Sequence, residues 1–176
     1  MQLYLMRHGE TNYNVMGLCN DDPGDPVYLT ERGRQQALET AQQLKDTPIG
    51  RIAVSELPRT AQTADIINAC HHAPVSVRPE LNDIRTGFNG RPVREFHQAL
   101  ADSPLDAKAP GGESIREHKA RVLKVLQWLD ALSEPQVLLV SHEEPLRVLI
   151  AHFRGLDDRD MMALNIGNCE ILSFRR

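Results

Sequence analysis

Two short apolar runs in this sequence each stop on a histidine. Leu3-Tyr4-Leu5-Met6 leads into Arg7-His8-Gly9, and Val137-Leu138-Leu139-Val140 leads into Ser141-His142. A brief apolar run bounded by a turn signal reads as a strand buried on both faces. In an open α/β sheet, the residues just past the carboxyl ends of neighbouring strands converge on one crevice. One histidine after a strand is most simply a structural group; two at equivalent ends, with Arg7 beside the first, could do chemistry together. A second guanidinium, Arg59, falls in the first turn of the helix after Ile52-Ala53-Val54, where unpaired backbone N–H groups also favour an anion. Two imidazoles, two guanidiniums and a helix N-terminus describe a pocket for a tetrahedral dianion such as a phosphoryl group. The planar arginine fork can hold two phosphate oxygens at once. A neutral imidazole is a competent nucleophile toward phosphorus, and fixed positive charge then carries most of the catalysis.

The elements that must position these groups alternate along the chain, which favours an α/β layer architecture. Thr30 is an N-cap for a helix striped by Ala37, Leu38, Ala41 and Leu44, and Pro58 opens a helix carrying Ala61, Ala64, Ile66 and Ile67. Val75 to Val77 reads as a further strand, and a short helix is expected over Val93 to Ala101. Ser114-Ile-Arg-Glu117 is a capping box for a helix with Val122, Leu126, Leu129 and Leu132 on one side. Leu146, Leu149, Ile150 and Phe153 stripe the helix behind His142, and Cys169 to Phe174 reads as a last strand at a sheet edge. The Asn-, Asp-, Gly- and Pro-rich stretch from Asn12 to about Leu29 reads as a loop.

Length and composition narrow the function. The chain has 176 residues, 41% of them hydrophobic, and a formal net charge of −4, which fits one domain over 1–176 and disfavours a nucleic-acid partner. No apolar run reaches membrane-spanning length, so no membrane association is expected. Cys19, Cys70 and Cys169 lack C-x-x-C spacing and read as packed or idle thiols, which points to the cytoplasm. His71 and His72 fall at a helix end, and His97, His118 and His152 read as surface or packing groups. None has an H-E-x-x-H partner, so a zinc hydrolase is a remote alternative and no metal or other cofactor is expected. Asp21, Asp22 and Asp25 read as a solvated loop, and Trp128 as core.

Several ordered segments between Met1 and Arg147 carry a family resemblance. Arg7-His8-Gly9-Glu10-Thr11 with Asn14 resembles the RHG signature of the histidine phosphatase (phosphoglycerate mutase-like) superfamily. Leu29-Thr30 with Gly33 and Gln36-Ala37 resembles that family's LT-x-x-G-x-x-QA helix start. Ser55-x-Leu57-x-Arg59-Thr60-x-Gln62-Thr63-Ala64 resembles its second arginine motif. Pro110-Gly111-Gly112-Glu113-Ser114 resembles its PGGES segment, and Val140-Ser141-His142 its second-histidine motif. The resemblance implies a three-layer α/β/α sandwich with a mostly parallel central sheet, a phosphohistidine intermediate on His8, and no metal. Arg7, Arg59 and His142 would clamp the phosphoryl group and Asn14 would add a hydrogen bond.

Departures from the pattern bear on the reaction. After Asn14 the family often continues toward an Arg and a Gln-Gly; here the stretch is Gly17-Leu18-Cys19-Asn20-Asp21, without a cation for a second anionic group. The segment around 80–112, which forms a lid in larger relatives, is short. Hydrolysis of a small phosphomonoester is therefore expected. The alternatives are mutase-type phosphotransfer, a protein phosphohistidine phosphatase, and a non-catalytic phospholigand-binding protein. Two residues compete as proton donor. Asp83, after Leu81-Asn82, resembles the family segment that carries a catalytic Glu. Glu143 follows His142, where a related acid phosphatase branch carries an Asp and most relatives carry Gly. The matched context favours Asp83, with Glu143 the alternative acid.

Overall fold

Branched and aliphatic side chains fit a pleated, enclosed surface, and here they take most of the buried positions of the three central strands. The computed structural model describes residues 1–176. Its strands β1 (Gln2–Arg7), β2 (Arg51–Val54), β3 (Val75–Val77), β4 (Gln136–Ser141) and β5 (Ile171–Arg175) form one sheet in the order β3-β2-β4-β1-β5. All neighbours are parallel except β5, which runs antiparallel to β1 at one edge. The helices are α1 (Asn12–Met16), α2 (Glu31–Leu44), α3 (Pro58–Asn68), α4 (Val93–Leu100), α5 (Ile115–Val122), α6 (Val125–Asp130), α7 (Glu143–Arg154) and α8 (Asp158–Ala163).

Strand alternation divides the apolar runs between two cores. Leu3, Leu5, Ala53, Val137 and Leu139 face a core closed by Val122 of α5, Leu129 of α6, Leu146 and Leu149 of α7 and Met161 of α8. Met6, Ile52, Val54, Leu138 and Val140 face the other, closed by Ala37 and Leu44 of α2 and Ala64 and Ile67 of α3. The expected three-layer sandwich is the fold, and the continuous apolar runs are explained by burial on both faces. A third, small cluster of Cys19, Ile84, Phe88, Phe96 and Leu100 fastens the short lid segment and α4 against the loop after α1.

Several local expectations need correction. The stretch after His8 contains a helix, α1, too short to show periodicity and held by its caps. Thr11 Oγ1 accepts from the Asn14 N–H, Asn14 Oδ1 accepts from the Thr11 N–H, and Gly17 at φ 65° closes the turn. The acidic residues that follow are structured rather than merely solvated. Asp21 Oδ2 accepts from the Thr86 N–H at 2.8 Å, tying this loop to the 80–112 segment, and Asp25 Oδ2 accepts from Asn20 Nδ2 at 2.9 Å within the loop. The helix expected from Ser114 onward is two, α5 and α6. Around Leu123 and Lys124 the hydrogen bonds tighten to an i→i+3 pattern, although the Val122–Val125–Leu129 stripe continues across the break. Leu38 is 54% exposed, because the inward face of α2 is Gly33, Ala37, Thr40 and Leu44. Trp128 is half-buried beneath the Arg78 guanidinium, 5.0 Å from the ring centre. Cys19 and Cys169 are buried thiols whereas Cys70 is exposed. No helix is long and apolar enough to cross a membrane.

Candidate active site

Register brings the two histidines together. β1 and β4 are parallel neighbours with Arg7 opposite Ser141, so His8 and His142 leave the sheet at the same level. Their ring centroids are 5.1 Å apart. The backbone beyond β1 lies flush against the start of α2, and this is why two glycines stand there. A Cβ on Gly9 would be 2.5 Å from the Gly33 carbonyl oxygen, and one on Gly33 would be 2.1 Å from the Glu10 carbonyl oxygen. Thr63 of α3 accepts from the Gly9 N–H at 3.1 Å, and Asn168 Nδ2 donates to the His8 carbonyl at 2.9 Å.

His8 is buried, and its Nδ1–H donates to the Gly9 carbonyl oxygen at 2.7 Å, which assigns the lone pair to Nε2. His142 places Nε2 at 2.8 Å from Ser55 Oγ. Ser55 Oγ also accepts from the Leu57 N–H at 3.1 Å and lies 3.0 Å from Thr60 Oγ1, so the hydroxyl chain suits an Nε2–H on His142 and a lone pair on Nδ1. Arg59 joins the rings: its Nε–H lies 3.2 Å from His8 Nε2 and 3.2 Å from His142 Nδ1. Burial and then the Arg59 charge hold both histidines well below the ordinary imidazole pKa, so both rings are neutral at neutral pH.

The remaining Arg59 donors point outward. Nη1 donates to Asn20 Oδ1 at 2.6 Å, while Nη2 donates to the Asn20 carbonyl and to Asp83 Oδ2, both at 3.1 Å. Asp83 Oδ2 is also 3.7 Å from His142 Nδ1. Burial and then the Glu144 carboxylate outweigh the Arg59 attraction and push the Asp83 carboxyl up to about 7. Arg7 uses Nη1 on the Ile166 carbonyl at 2.6 Å and on Glu143 Oε2 at 2.8 Å. Its Nε is buried and has no partner in the protein, a donor left for a ligand in the cavity that Arg7 lines. Asn14 lines the same cavity; its Oδ1 is committed to the Thr11 N–H, so its amide nitrogen is the end available to a ligand.

Glu143 is held between two guanidiniums, Arg7 at 2.8 Å and Arg147 at 2.7 Å. It opens α7, and so does Glu144, which Arg147 meets at 3.3 Å. The cavity over these groups has a volume of about 530 Å³, with Tyr13, Val15, Ile84 and Phe96 among its apolar walls. Of the histidines expected at the surface or in packing, His97 is exposed and also lines this cavity, and His118 is packed against Glu113. Three polar residues of the site carried no role in the sequence reading. Ser55 stood inside a recognised motif, Asn20 stood where the motif departs, and Asn168 lies in a segment with no pattern at all.

If Arg59 holds the phosphoryl group, lysine in its place keeps a charge but cannot reach both imidazoles and a phosphate edge together. Arg59→Lys is expected to lower kcat/KM on p-nitrophenyl phosphate by about 10²–10³-fold. A loss under about threefold, with the thermal midpoint unchanged, would make Arg59 a structural residue.

The sequence profile of the histidine phosphatase superfamily (branch 1) matches residues 3–176. The chain is 32% identical over 180 residues to the probable phosphoglycerate mutase GpmB of Erwinia tasmaniensis, covering 97% of this chain and 83% of that protein. It is 35% identical over 160 residues to the adenosylcobalamin/alpha-ribazole phosphatase of Salmonella typhimurium, covering 86% and 78%. Among solved structures, the alpha-ribazole phosphatase of Shigella flexneri superposes with a TM-score of 0.88 at 29% identity, covering 98% of this chain and 89% of that one. A mycobacterial glucosyl-3-phosphoglycerate phosphatase solved with VO3 superposes with a TM-score of 0.81 at 28% identity, covering 98% and 91%. The chain belongs to the histidine phosphatase superfamily, branch 1, and is an enzyme of the phosphatase class.

Proposed function

We propose that this enzyme hydrolyses small phosphomonoesters through a phosphohistidine on His8. The observation that carries the reading is Arg59 Nε–H, placed 3.2 Å from each of the two facing imidazole nitrogens. A phosphoryl group entering there meets a nucleophile on one side and a guanidinium along its edge. In the first step His8 Nε2 forms a bond to phosphorus, the ester P–O bond breaks, and the leaving oxygen takes the proton of the Asp83 carboxyl. In the second step water attacks phosphorus and the N–P bond breaks. This releases inorganic phosphate as the monoanion carrying both of the water's protons and restores neutral His8, and Asp83 is reprotonated from solvent. Arg7, Arg59 and the amide nitrogen of Asn14 hold the equatorial oxygens. A dianion beside His142 favours its protonated form, which adds an Nδ1–H donor.

The rim of the cavity supports hydrolysis over mutase chemistry. Glu10, Glu143 and Glu144 line it, and its one further cation, Arg147, is already paired with Glu143 and Glu144. A second anionic group on the substrate finds no free partner there. The test is direct. p-Nitrophenyl phosphate should be hydrolysed at an undiminished rate in EDTA, and an alkaline quench during turnover should trap one phosphoryl group per chain. Loss of activity in chelator, restored by a divalent ion, would overturn the mechanism. Interconversion of 3- and 2-phosphoglycerate with their bisphosphate, faster than release of phosphate, would favour the mutase reading instead.

A further inference from the structure

The PGGES-like segment has no part in the chemistry above, yet its glutamate is among the most enclosed charges in the protein. Glu113 is 2% exposed and is gripped side-on by Arg121 of α5, with Nη2 to Oε1 at 2.5 Å and Nε to Oε2 at 3.2 Å. The buried His118 Nδ1 lies 3.3 Å from the same carboxylate and the Arg85 N–H donates to it at 3.1 Å. Burial alone would raise this carboxyl, but the hydrogen bonds from His118, Arg121 and the Arg85 amide hold it well below the ordinary carboxylate range. It is therefore a fixed negative charge, and it locks the plane of the Arg121 guanidinium.

Apart from Nη2 lying 2.9 Å from His118 Nδ1, the other contacts of that guanidinium go to one stretch of backbone. Arg121 Nη1 donates to the carbonyl oxygens of Pro79, Glu80 and Asn82, and Nη2 to that of Asp83, each at 3.1 Å. Glu113, through the Arg85 N–H, secures the same stretch from its far side. One ion pair thus grips the chain both before and after Asp83, whose carboxyl stands 3.1 Å from Arg59 in the cavity. The segment has little regular structure of its own, only a 3-10 turn over Pro79–Leu81. A helix or strand would fix Asp83 through its ladder; here the side chains of α5 and the segment before it supply that constraint.

We propose that Glu113 and Arg121 are positioning residues that hold Asp83 at proton-transfer distance from the leaving oxygen. This rests on the reading of Asp83 as the acid. A carboxyl displaced by about 1 Å transfers a proton poorly, at a cost of about 10²-fold. That cost falls on substrates whose leaving group needs the proton, such as glycerol 2-phosphate, and not on p-nitrophenyl phosphate, whose phenolate leaves unaided.

The test compares Arg121→Met, Glu113→Gln, Asp83→Asn and the double variant Asp83→Asn/Arg121→Met on those two substrates. Arg121→Met is expected to lower kcat on glycerol 2-phosphate by about 100-fold, KM changing little, while p-nitrophenyl phosphate loses about threefold or less. Glu113→Gln, nearly isosteric, should show the same selectivity to a smaller degree, and it carries the test if Arg121→Met does not fold. The double variant should be no slower than Asp83→Asn alone, because a misplaced acid and a missing acid cannot both be lost. Equal losses on the two substrates for Glu113→Gln, or additive losses in the double variant, would overturn the proposal while a selective Asp83→Asn left the acid assignment standing. An unselective Asp83→Asn would overturn the acid assignment, and this proposal with it.

Discussion

His8→Ala is expected to reduce turnover of every phosphomonoester by about 10⁴-fold or more, while leaving inorganic phosphate or vanadate bound with measurable affinity. The two halves of this result come from different atoms. The lone pair proposed as nucleophile belongs to Nε2 because Nδ1–H is spent on the Gly9 carbonyl, and the lowered pKa keeps that lone pair unprotonated at neutral pH. The charges proposed to bind phosphate belong to Arg7 and Arg59, which the substitution does not touch. His142 is the only other ring at this level, and its Nδ1 also faces Arg59. Its role separates cleanly in a trapping experiment: His142→Ala should still accumulate phosphoenzyme, slowly, and His8→Ala should accumulate none. Turnover above a tenth of the wild-type rate in His8→Ala, or a phosphoenzyme formed without it, would remove His8 as nucleophile. Calorimetric titration with phosphate checks the other half, since loss of both binding and turnover would mean that the pocket had collapsed.

Much of this arrangement was legible because strand burial writes itself as continuous apolar runs. Leu3, Leu5 and Met6, with half-buried Tyr4 between them, and Val137–Val140 pack on both faces of the sheet. The ends of the runs could therefore be located to a residue, and parallel pairing then forces His8 and His142 together. Arg59 was legible for a similar reason, since Pro58 marks the first turn of α3. What periodicity missed is held by side chains rather than by repeat. α1 spans five residues and exists through the Thr11–Asn14 box and the Gly17 turn. Leu38 was assigned to the core by spacing alone, but Thr40 takes an inward place on α2, with its hydroxyl 3.4 Å from the Cys169 carbonyl. Asn20 and Asn168 act through contacts across 39 and 160 residues, which no local pattern encodes. The aspartates after Asn20 misled for the same reason: their partners, Thr86 and Asn89, lie in the lid.

The proton donor decides which substrates the enzyme can turn over, and here pH and leaving group give one joint expectation. Asp83 titrates near 7, raised by burial and by Glu144, so below that pH it is a neutral acid able to give a proton. The kcat/KM for glycerol 2-phosphate should therefore be level below about pH 7 and fall as pH rises through it. In the free enzyme, which this parameter reports, His8 and His142 titrate well below 6.5, so neither contributes to that descending limb. Asp83→Asn should remove the limb and lower the plateau by about 10²–10⁴-fold for glycerol 2-phosphate, with only a few-fold effect on p-nitrophenyl phosphate. Glu143 cannot play this part without giving up its two ion pairs with Arg7 and Arg147. Its carboxylate instead restrains the Arg7 guanidinium, whose orphaned Nε, on the proposed mechanism, would serve the phosphoryl oxygens of every substrate alike. Glu143→Gln should consequently slow both substrates by the same modest factor and leave the limb near pH 7 in place. If Glu143→Gln abolishes the limb and selectively slows glycerol 2-phosphate while Asp83→Asn does neither, the acid is Glu143, and Asp83 serves only to orient Arg59.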